Sequence, residues 1–150
     1  LDQKATSRSD VKAVLKSLQK NGYTLVSPTN GTKELTIEQL MHSGLDIYFE
    51  QIFTFEEVKT YKPHFFTYEF ICNSLNFSIK ESTMIACQAW DITDAQRAGL
   101  TGCFINRPGM VWYSLERVPD FSFRMLIDFA QIIEGKLLQP ATKLKGKSPA

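Results

Sequence analysis

Four short stretches hold the residue types from which a small anion can be bound and attacked. Thr29-Asn30-Gly31 offers a hydroxyl, an amide and close backbone N–H groups. Tyr61-Lys62-Pro63, followed by Tyr68, offers a cation and a phenol. Gln88-Ala89-Trp90-Asp91 offers an amide, an indole and a carboxylate, and Asn106-Arg107-Pro108-Gly109 a further amide and cation. A lysine held at a sheet edge stabilises the charge that develops on an attacked centre. Thr29 would present its hydroxyl and N–H to an anionic oxygen, with Asn30 touching substrate or the neighbouring loop. Asp91 would orient Lys62 or a water, while Tyr68, Gln88 and Trp90 would line the same hollow.

Each residue also has a plain structural role. Thr29 and Asn30 suit a helix cap or a turn. Lys62 suits a solvated loop, and Tyr68 and Trp90 suit core packing. Asp91 suits the first turn of a helix, where a negative charge meets the positive end of the dipole. His42 and His64 lack ligand-like spacing and are read as surface or satisfied histidines.

The elements that must position these groups follow from the apolar pattern. Val11, Val14, Leu15 and Leu18 form one helical stripe, capped by Ser9 or Asp10 and closed at Asn21-Gly22. Tyr23 to Val26 reads as a first strand, with a turn over residues 27–31. A second helix carries Leu35, Ile37, Leu40 and Met41 and stops at Gly44. Further strands are expected at Gln51–Phe55, Thr83–Cys87 and Thr101–Ile105. Pro63 opens a helix running to about Leu75. Asp91 opens another that ends at Gly99, and a last helix runs from about Arg124 to Glu134, with Leu126, Ile127, Ala130 and Ile133 on one face. Short apolar strands alternating with helices predict a Rossmann-like three-layer α/β fold with a parallel sheet. In such sheets ligands bind outside the carboxyl ends of the strands, where the four stretches fall.

Composition narrows the function. The 150 residues are 43% hydrophobic and 22% charged, which is globular. Lys plus Arg is 17 against 16 Asp plus Glu, so no polyanion-binding field is expected, and nucleic acid is not an expected partner. No apolar run reaches membrane-spanning length, and the N-terminus has no signal-peptide core. Cys72, Cys87 and Cys103 read as buried thiols of a reducing compartment, which points to the cytoplasm. Eleven phenylalanines predict an aromatic-rich core. Residues 1–8 are expected to be a flexible N-terminal segment, 9–135 the core domain and 136–150 a flexible basic tail.

The joint pattern resembles the haloacid dehalogenase superfamily, in its 2-haloacid dehalogenase-like branch. The likeness rests on Thr29-Asn30-Gly31, on Tyr61-Lys62-Pro63 with Tyr68, and on Cys87 to Asp91. Arg97-Ala98-Gly99-Leu100, Asn106-Arg107-Pro108-Gly109 and Pro119-Asp120 add to it, so that it covers roughly residues 11–134. It implies a hydrolase acting on a small anionic organic substrate, a 2-haloacid or a phosphate ester. Lys62 and Asp91 would be its catalytic residues, and Thr29, Asn30, Tyr68, Gln88 and Trp90 its substrate contacts. No cofactor is implied for a dehalogenase; for a phosphatase, Mg²⁺ on Asp91 would be.

The family's reaction starts from an Asp at the end of a central strand, and a helical cap follows that strand. Neither is found in these residues. Asp2, with Thr6 after it, is a faint echo, and a single residue precedes it, too few to make a strand. The expectation is therefore a core lacking its first strand, completed by a homodimer or by a separate segment. Without that strand, the first and third strands here lose a shared neighbour. Ala86 and Gln88 stand where the family has Ser and Asn. A repurposed acid–base isomerase or cyclase, or a non-catalytic interaction module, is the competing expectation.

Overall fold

The computed structural model describes residues 3–59, 65–112 and 117–136. Packing divides the chain into two compact units, Leu1–Lys59 and Thr60–Ala150, where one core over 9–135 was expected.

In the first unit, α1 spans Gln3–Lys20, beginning well before the expected cap at Ser9 or Asp10. Its stripe is as read: Val14, Leu15 and Leu18 are buried. Gly22 follows with φ 85°, the left-handed conformation that ends the helix. The first strand differs from expectation. β1 is Val26–Thr29, not Tyr23–Val26, so most of the expected turn is strand. Apolarity pointed to the wrong residues, because pairing decides. Val26 lies opposite Gln51 and Thr29 opposite Thr54, in parallel with β2, Gln51–Thr54. Pro28 is tolerated because β1 has one strand neighbour among the described residues, and an edge does not need every N–H.

Between these strands runs α2, Lys33–Ser43. Thr32 caps it by accepting the Leu35 N–H, and Gly44 ends it at φ 67° with its N–H bonded to Leu40 and Met41 carbonyls. The expected apolar stripe is not buried: Leu35 is 51% and Met41 61% exposed. A 3-10 turn at Asp46–Tyr48 precedes β2, and a single-turn α3, Phe55–Val58, follows it.

The second unit holds α4, Phe65–Ser74, then β3, Thr83–Ala86, α5, Ala89–Ala98, and β4, Thr101–Ile105. The expected helix start at Pro63 lies outside the described residues. β5, Phe121–Phe123, was not foreseen, since three residues carry too little pattern. It pairs in parallel with β4, with Cys103 opposite Phe121. α6, Leu126–Lys136, is shifted two residues from the expected span. The rest of the expected basic tail, 137–150, lies outside the described residues.

The core of this unit gathers Tyr68, Met84, Ile92, Ala95, Leu100 and Phe104. Trp112 meets Phe104 edge-on, with ring centroids 5.3 Å apart. The phenylalanines do not all go inside as expected. Phe53, Phe104 and Phe129 are buried, whereas Phe65, Phe66, Phe70 and Phe77 are exposed.

The fold class is as predicted, α/β with parallel strands and flanking helices. Among the described residues the strands form two sheets, β1-β2 and β3-β4-β5.

Candidate active site

Parallel strands bring the loops that follow them to one edge within each unit. In the first unit, β1 ends at Thr29 and Asn30 follows it, exposed. Thr29 Oγ1 accepts the Gly31 N–H at 3.0 Å, a tight local turn, and lies 3.4 Å from Thr36 Oγ1. A Cβ on Gly31 would meet Thr29 Oγ1 at 3.3 Å, so the turn is closest-packed where glycine stands. The turn role read for Thr29 is thus filled, and its hydroxyl is oriented by two neighbours.

At the end of β2, Glu57 holds two elements together. Its Oε1 accepts from Lys33 Nζ at 2.7 Å and its Oε2 from the Thr54 N–H at 3.1 Å. The Lys33 hydrogen bond first, and the Thr54 N–H second, hold the Glu57 carboxyl below the usual carboxylate range.

In the second unit, β3 ends at Ala86, and Cys87 and Gln88 lead into α5. Gln88 is the residue before the helix and is half-buried, with no side-chain bond to the helix end. Asp91 lies in the first turn and is buried. Tyr68 comes from α4, 2% exposed, and its hydroxyl donates to the Asp91 main-chain oxygen at 3.3 Å. Burial, then the Asp91 and Asp94 carboxylates, push the phenol well above the ordinary tyrosine range, so it is a neutral donor at physiological pH. Trp90 is 49% exposed and so is not the core residue that a Trp beside a sheet suggests. Asn106 and Arg107 follow β4, half-buried.

The structure therefore brings Tyr68, Gln88 and Asp91 to one helix start and puts Thr29 and Asn30 on one turn. Lys62, with Tyr61 and His64, lies outside the described residues. Reading the sequence missed three contributors. Asp94, one turn after Asp91, acts on Tyr68 and ion-pairs with Arg97 at 2.8 Å; the i, i+3 carboxylate spacing signalled it. Thr67 and Thr93 are buried, and their hydroxyls make no hydrogen bond among the described residues. Nothing in their local sequence marked them.

Among the described residues no three His, Cys, Asp or Glu side chains gather as a metal site. Mg²⁺ asks for near-octahedral oxygen ligands. The end of β3 brings one carboxylate, Asp91, with the Cys87 thiol and the Gln88 amide beside it in sequence. That donor set alone does not fit Mg²⁺.

Comparison with known proteins agrees with this architecture. A family model described as haloacid dehalogenase-like hydrolase matches residues 1–105. Haloacetate dehalogenase H-2 from Moraxella sp. (strain B) is 29% identical over 125 residues, covering 83% of this chain and 55% of that protein. Pyrimidine 5'-nucleotidase PynA from Streptococcus pneumoniae is 27% identical over 144 residues, covering 95% of this chain and 60% of that protein. A crystal structure of a dehalogenase in an intermediate complex superposes with a TM-score of 0.77 at 25% identity, over 82% of this chain and 54% of that one. The chain thus spans little more than half the length of the relatives it matches.

Proposed function

Because the chain belongs to the haloacid dehalogenase-like hydrolase family, we propose that it is the hydrolase core for a small anionic organic substrate, a 2-haloacid in the first instance. The nucleophile is an Asp on a strand outside residues 1–150. Its carboxylate attacks the substrate carbon, halide leaves, and water hydrolyses the resulting ester. Lys62 stabilises the nucleophile and the developing charge. Asp91 orients Lys62 or the water. Thr29 and Asn30 hold the substrate anion, and Tyr68, Gln88 and Trp90 line its pocket.

One observation carries this reading: a neutral buried phenol, Tyr68, bonded to the first turn of α5 at Asp91, at the carboxyl end of β3. The need for an outside nucleophile is supported by the strand ends. Thr29, Thr54, Ala86, Ile105 and Phe123 end the five described strands, and none is an Asp. No helix among the described residues is long and apolar enough to cross a membrane. The three thiols are not in disulfides, which suits a reducing cytoplasm.

The likeness to a nucleotidase over 95% of the chain favours a second reading, phosphate-ester hydrolysis. Mg²⁺ would then be required, and the further carboxylates it needs would come with the missing strand. The test is turnover of 2-chloropropionate and of p-nitrophenyl phosphate by the full protein, with EDTA as a control. Halide release that survives EDTA and falls on the order of 100-fold in Asp91→Asn and in Lys62→Ala is expected. Phosphate release abolished by EDTA selects the second reading. Turnover untouched by either substitution removes both residues from the mechanism.

A further inference from the structure

We propose that Asn30 is a self-modifying residue: the Gly31 main-chain nitrogen displaces its side-chain amide and leaves a carboxylate on the turn after β1. The nitrogen gives up its proton to base and attacks the Asn30 side-chain carbonyl carbon. A C–N bond closes a succinimide ring, and the side-chain nitrogen leaves as ammonia. Water then opens the ring at either carbonyl, leaving aspartate or isoaspartate in place of the asparagine. Nothing is oxidised or reduced, and water is the co-reactant.

Two Asn-Gly steps occur in the chain, Asn21-Gly22 and Asn30-Gly31. Glycine after asparagine favours ring closure, because no Cβ crowds the attacking nitrogen. Asn73, Asn76 and Asn106 are instead followed by Ser74, Phe77 and Arg107. Asn21 and Asn30 are both exposed, so exposure does not choose between them. The backbone does. At the end of α1 the Asn21 N–H donates to the Ser17 carbonyl at 3.0 Å, the Gly22 N–H to Gln19 at 3.1 Å and the Tyr23 N–H to Leu18 at 3.0 Å. These bonds aim the Gly22 N–H back along the helix. They also fix the dihedral that ring closure has to turn, so closure there costs the helix end.

Asn30-Gly31 lies between β1 and α2, in neither strand nor helix. The Gly31 N–H goes to a side-chain hydroxyl, Thr29 Oγ1, at 3.0 Å. That bond lies in the peptide plane and polarises the N–H, whereas the attacking orbital stands perpendicular to the plane. The bond itself therefore does not occupy the attacking face. Nucleophile and target are neighbours in one chain, so the step is intramolecular. Its consequence rests on the reading of Thr29 and Asn30 as substrate contacts. A carboxylate on that turn repels the anion the turn would hold, so the site closes down with age.

The test holds the chain at mildly alkaline pH, folded and in guanidinium, and follows each asparagine by peptide mass spectrometry. Folded, Asn30 loses its amide within about threefold of the unfolded rate, while Asn21 is slowed on the order of 100-fold by the helix end. Gly31→Ala slows loss at Asn30 on the order of 10-fold, in guanidinium as well as folded, so the result does not depend on how the variant folds. Protection of Asn30 as strong as that of Asn21 overturns the proposal. So does loss at Asn30 that Gly31→Ala leaves untouched in guanidinium. Halide release by the full protein separates this from the hydrolase reading. It should fall in step with conversion at Asn30, and Asn30→Asp should lower it on the order of 10-fold. Conversion with turnover unchanged keeps the modification site and removes Asn30 from substrate binding. Conversion in a protein that never releases halide keeps the modification site and removes the dehalogenase reading.

Discussion

The Tyr68 hydroxyl and the Asp91 main-chain oxygen are joined by a 3.3 Å hydrogen bond between α4 and the first turn of α5. The bond ties a buried phenol to the helix turn that carries the Asp91 carboxylate. It also makes the phenol a reporter of that turn, because burial and the Asp91 and Asp94 charges all oppose its ionisation.

Tyr68→Phe keeps the ring in the core and deletes the hydroxyl. A loss of about 1 kcal/mol in urea unfolding is expected at pH 7, the worth of one buried hydrogen bond. The pH dependence has a definite sign. The folded phenol titrates above the unfolded value of about 10, so the folded state holds its proton longer. That stabilisation is complete below pH 10 and is lost as pH rises through the folded value. The wild type therefore loses stability between pH 10 and 12 more steeply than Tyr68→Phe. Equal slopes would show that the phenol is not held neutral by its surroundings.

Gly102→Ala tests how tightly β4 sits on α5. A Cβ there would meet Ile92 Cγ2 at 2.6 Å and Gln96 Cγ at 2.9 Å. Both side chains are buried, and Gln96 Nε2 is fixed by Asp120 at 2.9 Å and the Val118 carbonyl at 3.1 Å. Neither can swing away cheaply. A destabilisation of about 1–3 kcal/mol is expected from overpacking. A thermal melt unchanged from wild type would show that this contact yields.

What the sequence made legible were the features set locally. Gly44 and Gly99 end helices where they were expected, because a left-handed residue terminates a helix whatever surrounds it. The parallel α/β class was legible from the alternation of short apolar runs with amphipathic stretches. The start of β1 was not, because the apolar residues lie at 23–26 while pairing with β2 selects the polar stretch that follows. The exposure of Leu35, Met41, Phe65 and Phe66 was not legible either, since a helical stripe shows a face and not what covers it. At the site, residue types after β1 and β3 pointed to Thr29 and Asp91, but the Tyr68–Asp91 bond is a tertiary contact across 23 residues of chain.

Glu57→Gln removes an acceptor that serves both Lys33 and the Thr54 N–H. The ion pair is partly exposed, so a loss of about 0.5 kcal/mol at pH 7 is expected. The folded carboxyl titrates below its unfolded value, so its contribution is present above about pH 4.5 and is lost as pH falls through the folded value. The difference between wild type and variant should therefore shrink toward zero near pH 3. A difference that persists at that pH would assign the effect to packing.

Thiol labelling separates the three cysteines. Cys103 is fully buried and burial alone pushes it up to about 12, and Cys72 is buried in α4. Cys87 is half-buried at the end of β3. Iodoacetamide at pH 8 should therefore modify Cys87 alone in the native chain and all three in guanidinium, as read by mass spectrometry. Fast native labelling of Cys103 would mean that β4 opens readily.

The end of β3 and the residues that follow it bear on substrate choice. Ala86 offers no hydroxyl and Gln88 carries its amide one methylene further out than an asparagine would. Ala86 ends β3 and Gln88 is the residue before α5, at a helix start where donors aimed at a developing anion act most strongly. Ala86→Ser with Gln88→Asn adds a donor and shortens the other. In the full protein, halide release from 2-chloropropionate should rise about 10-fold, since one such donor is worth up to about 100-fold or more. Phosphate-ester turnover should not rise with it. If both activities move together, the loop serves general anion binding, and choice between carbon and phosphorus centres lies elsewhere.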